Sequence, residues 1–136
     1  MARSILAIVA GFVLIGALSF AGDAVLSMAM PDEVAHGQTI TSLPALLISL
    51  LYVAVFAIGG CYLTARLAPH HPLRHALILG ALGLVFQLAM LPAVRDTVPP
   101  WYLVVSLLLV MPYAWIGGML RERELARTPA STAALA

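Results

Sequence analysis

Four long apolar stretches leave this chain little choice of fold. The first, residues 5–30, holds 26 residues with one formal charge, Asp23, and no proline. An α-helix rises about 1.5 Å per residue and a bilayer's hydrocarbon core is about 30 Å thick, so roughly 20 apolar residues suffice to cross it. In hydrocarbon each backbone N–H and C=O must be satisfied internally, which a helix achieves within one segment. Read this way, the sequence predicts an all-α, integral membrane four-helix bundle. The helices fall at about 4–30, 42–67, 73–93 and 101–121, followed by a cytoplasmic tail at 122–136 whose end is expected to be disordered.

Composition supports that solvent. The chain is 62% hydrophobic and 10% charged, against about 25% charged for a soluble domain. Too few polar groups exist to cover a water-facing surface. Nothing points to nucleic acid: the net charge is +1, with no basic run. Arg3 before an apolar run resembles a secretory signal, but that run exceeds the 7–15 residues of a signal core, so it reads as the first membrane helix.

Prolines punctuate the spans. Pro44 falls in the first turn of helix two, where its missing N–H costs nothing. Ala68-Pro69-His70-His71-Pro72 makes a tight connection, and Pro92 is expected to help end helix three. Pro112 lies mid-way along helix four and is expected to kink it or leave a carbonyl unpaired.

Arginines set the orientation. With the N-terminus inside, Arg3, Arg66, Arg74, Arg121, Arg123 and Arg127 are cytoplasmic and only Arg95 is outside. Both termini are then cytoplasmic. Trp101 and Tyr102 begin helix four at the outer interface, where amphipathic rings prefer to sit.

A faint repeat runs through the chain. Ile58-Gly59-Gly60 matches Ile116-Gly117-Gly118 at an offset of 58, and Gly11 aligns on Gly83 at an offset of 72. Helices one–two and three–four would then form a 2+2 parallel internal repeat. The alternative is chance similarity among Leu- and Ala-rich helices. At offset 72, Asp23 lies opposite Arg95, and a charge in lipid is costly unless paired or hydrated. We therefore expect Asp23 and Arg95 at similar depth and close enough to interact, or else Asp23 reaching to headgroup water.

Lipid supplies no hydrophobic drive for helix association, so small residues that admit close backbone approach do much of that work. Gly11, Gly59, Gly60, Gly80, Gly83, Gly117 and Gly118 are the expected packing positions. Gln87, mid-membrane, needs a partner and is expected to point inward toward a carbonyl or a hydroxyl such as Ser49 or Ser106. That is interhelical glue, with ligand contact as the alternative.

Reactive constellations are missing. One cysteine, Cys61, excludes an internal disulfide and dithiol chemistry. His36, His70, His71 and His75 lie in loops or at helix ends, so intramembrane haem ligation is not expected. No phosphate loop, HExxH or Ser/His/Asp set occurs. The His70/His71/His75 segment reads as an interfacial turn beside anionic headgroups rather than a metal site, since Arg74 repels cations. Expected catalytic residues, metals and cofactors are none.

Gly59-Gly60-x-x-Leu63-Thr64-Ala65-Arg66-Leu67-Ala68-Pro69, Arg74-His75-Ala76-Leu77, Trp101-Tyr102 and Pro112-x-Ala114-Trp115-x-Gly117-Gly118 together resemble a group of small four-helix bacterial inner-membrane proteins of unknown function. The likeness spans helices two to four. It implies the topology and carries no site residues. The sequence thus leads first to a non-catalytic accessory or scaffolding subunit, partnered in the bilayer by a larger membrane protein or a second copy. The alternative is a small transporter or lipid/solute-binding membrane protein using Asp23 and Gln87. A closed bundle core favours the first; a cavity reaching those side chains favours the second.

Overall fold

The computed structural model describes residues 2–34 and 39–127. Four helices carry the chain: α1 (Ala2–Ala29), α2 (Leu43–Leu67), α3 (Pro72–Val94) and α4 (Pro100–Arg127). The described residues form no strand. All four helices are long and apolar enough to cross a membrane. Even α3, with 23 residues, reaches about 34 Å. The protein is a multi-pass, all-α membrane bundle.

The helix ends follow local chemistry. Pro44 sits in the first turn of α2, and the Ala68 N–H closes its last turn on the Thr64 carbonyl at 3.0 Å. His71 then adopts a left-handed conformation, φ 49°, sparsely populated for a residue with a Cβ. Its carbonyl accepts the Arg74 N–H at 3.1 Å and His75 Nδ1 at 3.1 Å, which starts α3.

One boundary differs from expectation, that of α4; α3 ends at Val94, two residues past Pro92 and close to the expected end. A proline in the last turn removes only one bond of the ladder. Helix α4 runs unbroken through Pro112 and extends to Arg127 rather than ending near 121. Arg121 Nη1 bonds Glu124 Oε2 at 2.7 Å, an i,i+3 pair, and the Tyr62 hydroxyl donates to the same oxygen at 2.6 Å. These contacts tie the extra turns to α2. The rest of the expected tail, residues 128–136, and His36 lie outside the described residues.

Side-chain bonds fix the register. Thr64 Oγ1 donates to the Ala7 carbonyl at 3.1 Å, placing the end of α2 beside the start of α1. Tyr62–Glu124 and Ser49–Tyr102 (2.8 Å) lie at opposite ends of α2, so α2 and α4 are parallel. A side chain at Gly118 would strike Leu73 and Ala76, so α3 begins where α4 ends. Arg3, Arg66, Arg74, Arg121, Arg123 and Arg127 therefore gather at one end, the basic end, and Arg95 lies at the other.

Helix α2 is the hub and packs on all three others; among the described residues α1 makes no contact with α4. At the end opposite the arginines the two loops are stitched together. The Ile40 N–H reaches the Thr97 carbonyl at 2.9 Å, Thr39 Oγ1 reaches the Asp96 carbonyl at 2.8 Å, and Ser42 bonds Glu33.

The close packing is concentrated toward the basic end. Ala7, Cys61, Thr64, Ala65, Ala76, Leu79 and Ala114 are buried there. A Cβ on Gly11 would fall 1.9 Å from Thr64 Oγ1, on Gly60 2.2 Å from Ile15 Cγ1, on Gly80 2.5 Å from Ala114 Cβ, and on Gly117 2.7 Å from both Cys61 Cβ and the Ile58 carbonyl. Gly11, Gly60, Gly80, Gly117 and Gly118 thus occupy helix crossings. Gly59 and Gly83 do not: a Cβ on Gly59 meets nothing within 4 Å, and one on Gly83 meets only Val110 Cγ1 at 3.9 Å. Gly59 faces outward because its neighbour Gly60 takes the α1 crossing, and successive helical residues point about 100° apart.

Candidate functional site

Beyond the glycine crossings the helices leave an apolar cavity of about 560 Å³ lined by all four. Phe12, Ile15 and Gly16 come from α1, and Leu50, Val53 and Ala57 from α2. Gly83, Phe86, Gln87 and Met90 come from α3, and Tyr102, Leu103, Ser106 and Val110 from α4. Phe12 of α1 and Phe86 of α3 pack edge to face at the side of the cavity, with ring centres 5.5 Å apart.

Gln87 is the polar group of the cavity. Its Nε2 donates to Ser106 Oγ at 2.8 Å, and Ser106 Oγ donates to the Leu103 carbonyl at 2.9 Å. Ser106 was one of the hydroxyls that the sequence offered Gln87; the other, Ser49, is engaged elsewhere. A carboxamide has two N–H donors and an acceptor oxygen. One donor is used, and no buried side-chain polar atom among the described residues lacks a partner. The remaining donor and the oxygen are therefore open to a molecule in the cavity.

A second recess of about 500 Å³ lies at the end away from the arginines. Phe20, Asp23, Ser27, Ile40, Ser49, Val98 and Tyr102 line it. Tyr102 and Val98 also line the larger cavity, so they form the wall between the two. Ser49 Oγ donates to the Leu46 carbonyl at 2.7 Å. Its single proton is thereby spent, so Tyr102 donates to Ser49 across 2.8 Å. Tyr102 thus turns its hydroxyl into the bundle instead of toward headgroups.

Asp23 does not meet Arg95. The Tyr52 hydroxyl donates to the Asp23 carboxylate, and Arg95 Nε pairs with its chain neighbour Asp96 at 3.4 Å. Among the described residues Asp23 has no ion pair. Both charges lie at the end away from the six arginines, but the donor that Asp23 meets on the facing helix is a phenol. Tyr52, Tyr102 and their bonds were missed in the sequence because tyrosine in an apolar run reads as an interface anchor. The usable signal was the i,i+3 spacing of Ser49 and Tyr52, which puts both on one face of α2.

Among the described residues no three His, Cys, Asp or Glu side chains converge where they could hold a metal ion. Comparison with family models, characterised proteins and solved structures yields no match to this chain. The resemblance to small bacterial inner-membrane proteins gains no support from them.

Proposed function

We propose that this protein is a small, non-catalytic membrane binding protein, holding a lipid chain or apolar solute with one hydrogen-bonding group between its helices. It sits in a bacterial inner membrane with both termini cytoplasmic, the orientation that its six arginines at one end favour. The observation that supports this reading is the cavity of about 560 Å³, within the range of about 300–1,000 Å³ of ligand sites. Its walls are apolar apart from a few hydroxyls and the part-satisfied Gln87 amide. That is the pattern of a site in which burial supplies affinity and one polar group fixes orientation. The accessory-subunit reading rests on exposed apolar faces, which any membrane protein turns to lipid, so the cavity is the more specific observation.

The test is photolabelling in phosphatidylcholine nanodiscs with a long-chain alcohol carrying a diazirine. Adducts on the peptides of Gln87, Met90 and Ser106 that excess unlabelled alcohol suppresses are expected. Gly83→Leu fills the cavity without striking backbone, since a Cβ there meets only Val110 at 3.9 Å, and it should abolish those adducts while the protein stays folded. Adducts confined to outward positions such as Leu51 and Leu108, insensitive to competitor, would refute the reading.

A further inference from the structure

We infer that the ligand is an amphipathic organic cation, its ammonium held by Asp23 in the outer recess and its apolar part in the cavity beyond Tyr102. The placement of the apolar part rests on the reading above; the ammonium site rests on Asp23 alone. Asp23 is the single acid within α1. An ionisable group in a span is costly and stays there paired, hydrated or serving a ligand. Among the described residues its only hydrogen bond is from the Tyr52 hydroxyl. A carboxylate has about four acceptor positions, so about three are left unfilled by the described residues on this exposed side chain.

Its surroundings fit a cation. At this end of the bundle the described residues place four carboxylates, Asp23, Asp32, Glu33 and Asp96, against one guanidinium, Arg95, already paired with Asp96. The field there is negative and draws cations toward the mouth. Phe20 and Tyr102 line the recess with aromatic surface, which an ammonium tolerates better than aliphatic surface. The Ser49 and Tyr102 hydroxyls are committed to each other and to the Leu46 carbonyl, and Ser27 to the Ala24 carbonyl at 2.8 Å. Among the described residues that line the recess no hydroxyl proton is spare, which disfavours an anion. The recess and the larger cavity adjoin at Tyr102 and Val98, so an elongated molecule would have to displace the Tyr102 side chain to occupy both.

The experiment compares the alcohol photoprobe with the same chain ending in a primary ammonium, in uncharged phosphatidylcholine nanodiscs so that lipid charge plays no part. The ammonium should compete about tenfold better than the alcohol in the unmodified protein, as a charge-assisted contact predicts. It should also label the peptides of Ile40 and Val98. Asp23→Asn should remove the preference and leave alcohol labelling unchanged. Tyr52→Phe, which keeps the charge, should retain it. Equal competition by the two probes, or a preference that survives Asp23→Asn, overturns the inference while the cavity reading stands. Asp23-dependent ammonium labelling without any saturable labelling of the cavity refutes the cavity reading and upholds the ammonium site. Saturable labelling by neither probe overturns both.

Discussion

Toward the arginine end, α1, α2, α3 and α4 meet through glycine: Gly11 on Gly60 and Thr64, Gly117 on Cys61 and Ile58, Gly80 on Ala114, Gly118 on Ala76. Toward the other end Gly22 lies against the Tyr52 ring, while Phe86, Gln87, Met90 and Leu103 line the cavity. Neither the outer part of α3, residues 84–94, nor that of α4, residues 100–113, contains a buried residue. Both halves belong to helices apolar enough to cross a membrane, so hydropathy alone does not explain the difference. What differs is how near the backbones approach, which in lipid is the main source of helix attraction. One half is built to hold the bundle together, and the other, relieved of that task, can hold something else.

The largest break in this comparison should come from Gly117→Leu. A side chain there meets the Ile58 carbonyl at 2.7 Å and the Tyr62 nitrogen at 2.9 Å, and backbone cannot rotate away. The α2–α4 seam must open, at a cost of about 3 kcal/mol or outright failure to assemble. Thermal unfolding in detergent, followed by size exclusion, reads this directly. Gly83→Leu, adding the same side chain to the open half, should leave the transition within about 1 kcal/mol of the parent. If the two variants unfold alike, the halves do not differ as described.

Thr64→Val probes the packed half more gently. Thr64 is fully buried and donates to the Ala7 carbonyl at 3.1 Å. Valine keeps the shape and removes the bond. The carbonyl stays paired within α1, so the loss should be about 1 kcal/mol, seen as a modest fall in the unfolding midpoint. In the open half, Ser106→Ala removes the acceptor for Gln87. Interhelical bonds of this kind average about 0.6 kcal/mol, and the freed amide can turn to a ligand. A small loss of stability with unchanged or stronger alcohol labelling is expected; loss of labelling would mean that Ser106 itself makes the ligand contact.

The four spans were legible because hydrocarbon permits so few backbone solutions that length and apolarity decide them. The Gln87–Ser106 bond was nearly legible for a similar reason: one buried amide faced a short supply of hydroxyls. Asp23 was misread because pairing of opposite charges was weighed above a phenol donor, and Arg95 had a nearer acid in Asp96. The glycines were legible as a class but not one by one. In a helix that is apolar all round, hydropathy does not report which face turns inward, so Gly59 and Gly117 look alike although one faces outward and the other fills a seam. The cavity depends on how far the helices diverge past their crossings, and no residue type encodes that.

That pair gives the smallest and sharpest contrast. Gly59 and Gly117 align at the offset of 58, each the first of a Gly-Gly, yet a methyl on Gly59 touches nothing within 4 Å and one on Gly117 overlaps Cys61 Cβ at 2.7 Å. In water a helical Gly→Ala change gains about 0.5–1 kcal/mol by restricting the unfolded chain. Here the reference state before association is already helical, because lipid demands internal hydrogen bonds, so most of that gain vanishes. Gly59→Ala should therefore shift stability by no more than about 0.3 kcal/mol, whereas Gly117→Ala should cost about 1–3 kcal/mol. Equal losses at the two positions would mean that Gly59 too is tightly packed, contrary to the open space that the described residues leave around it.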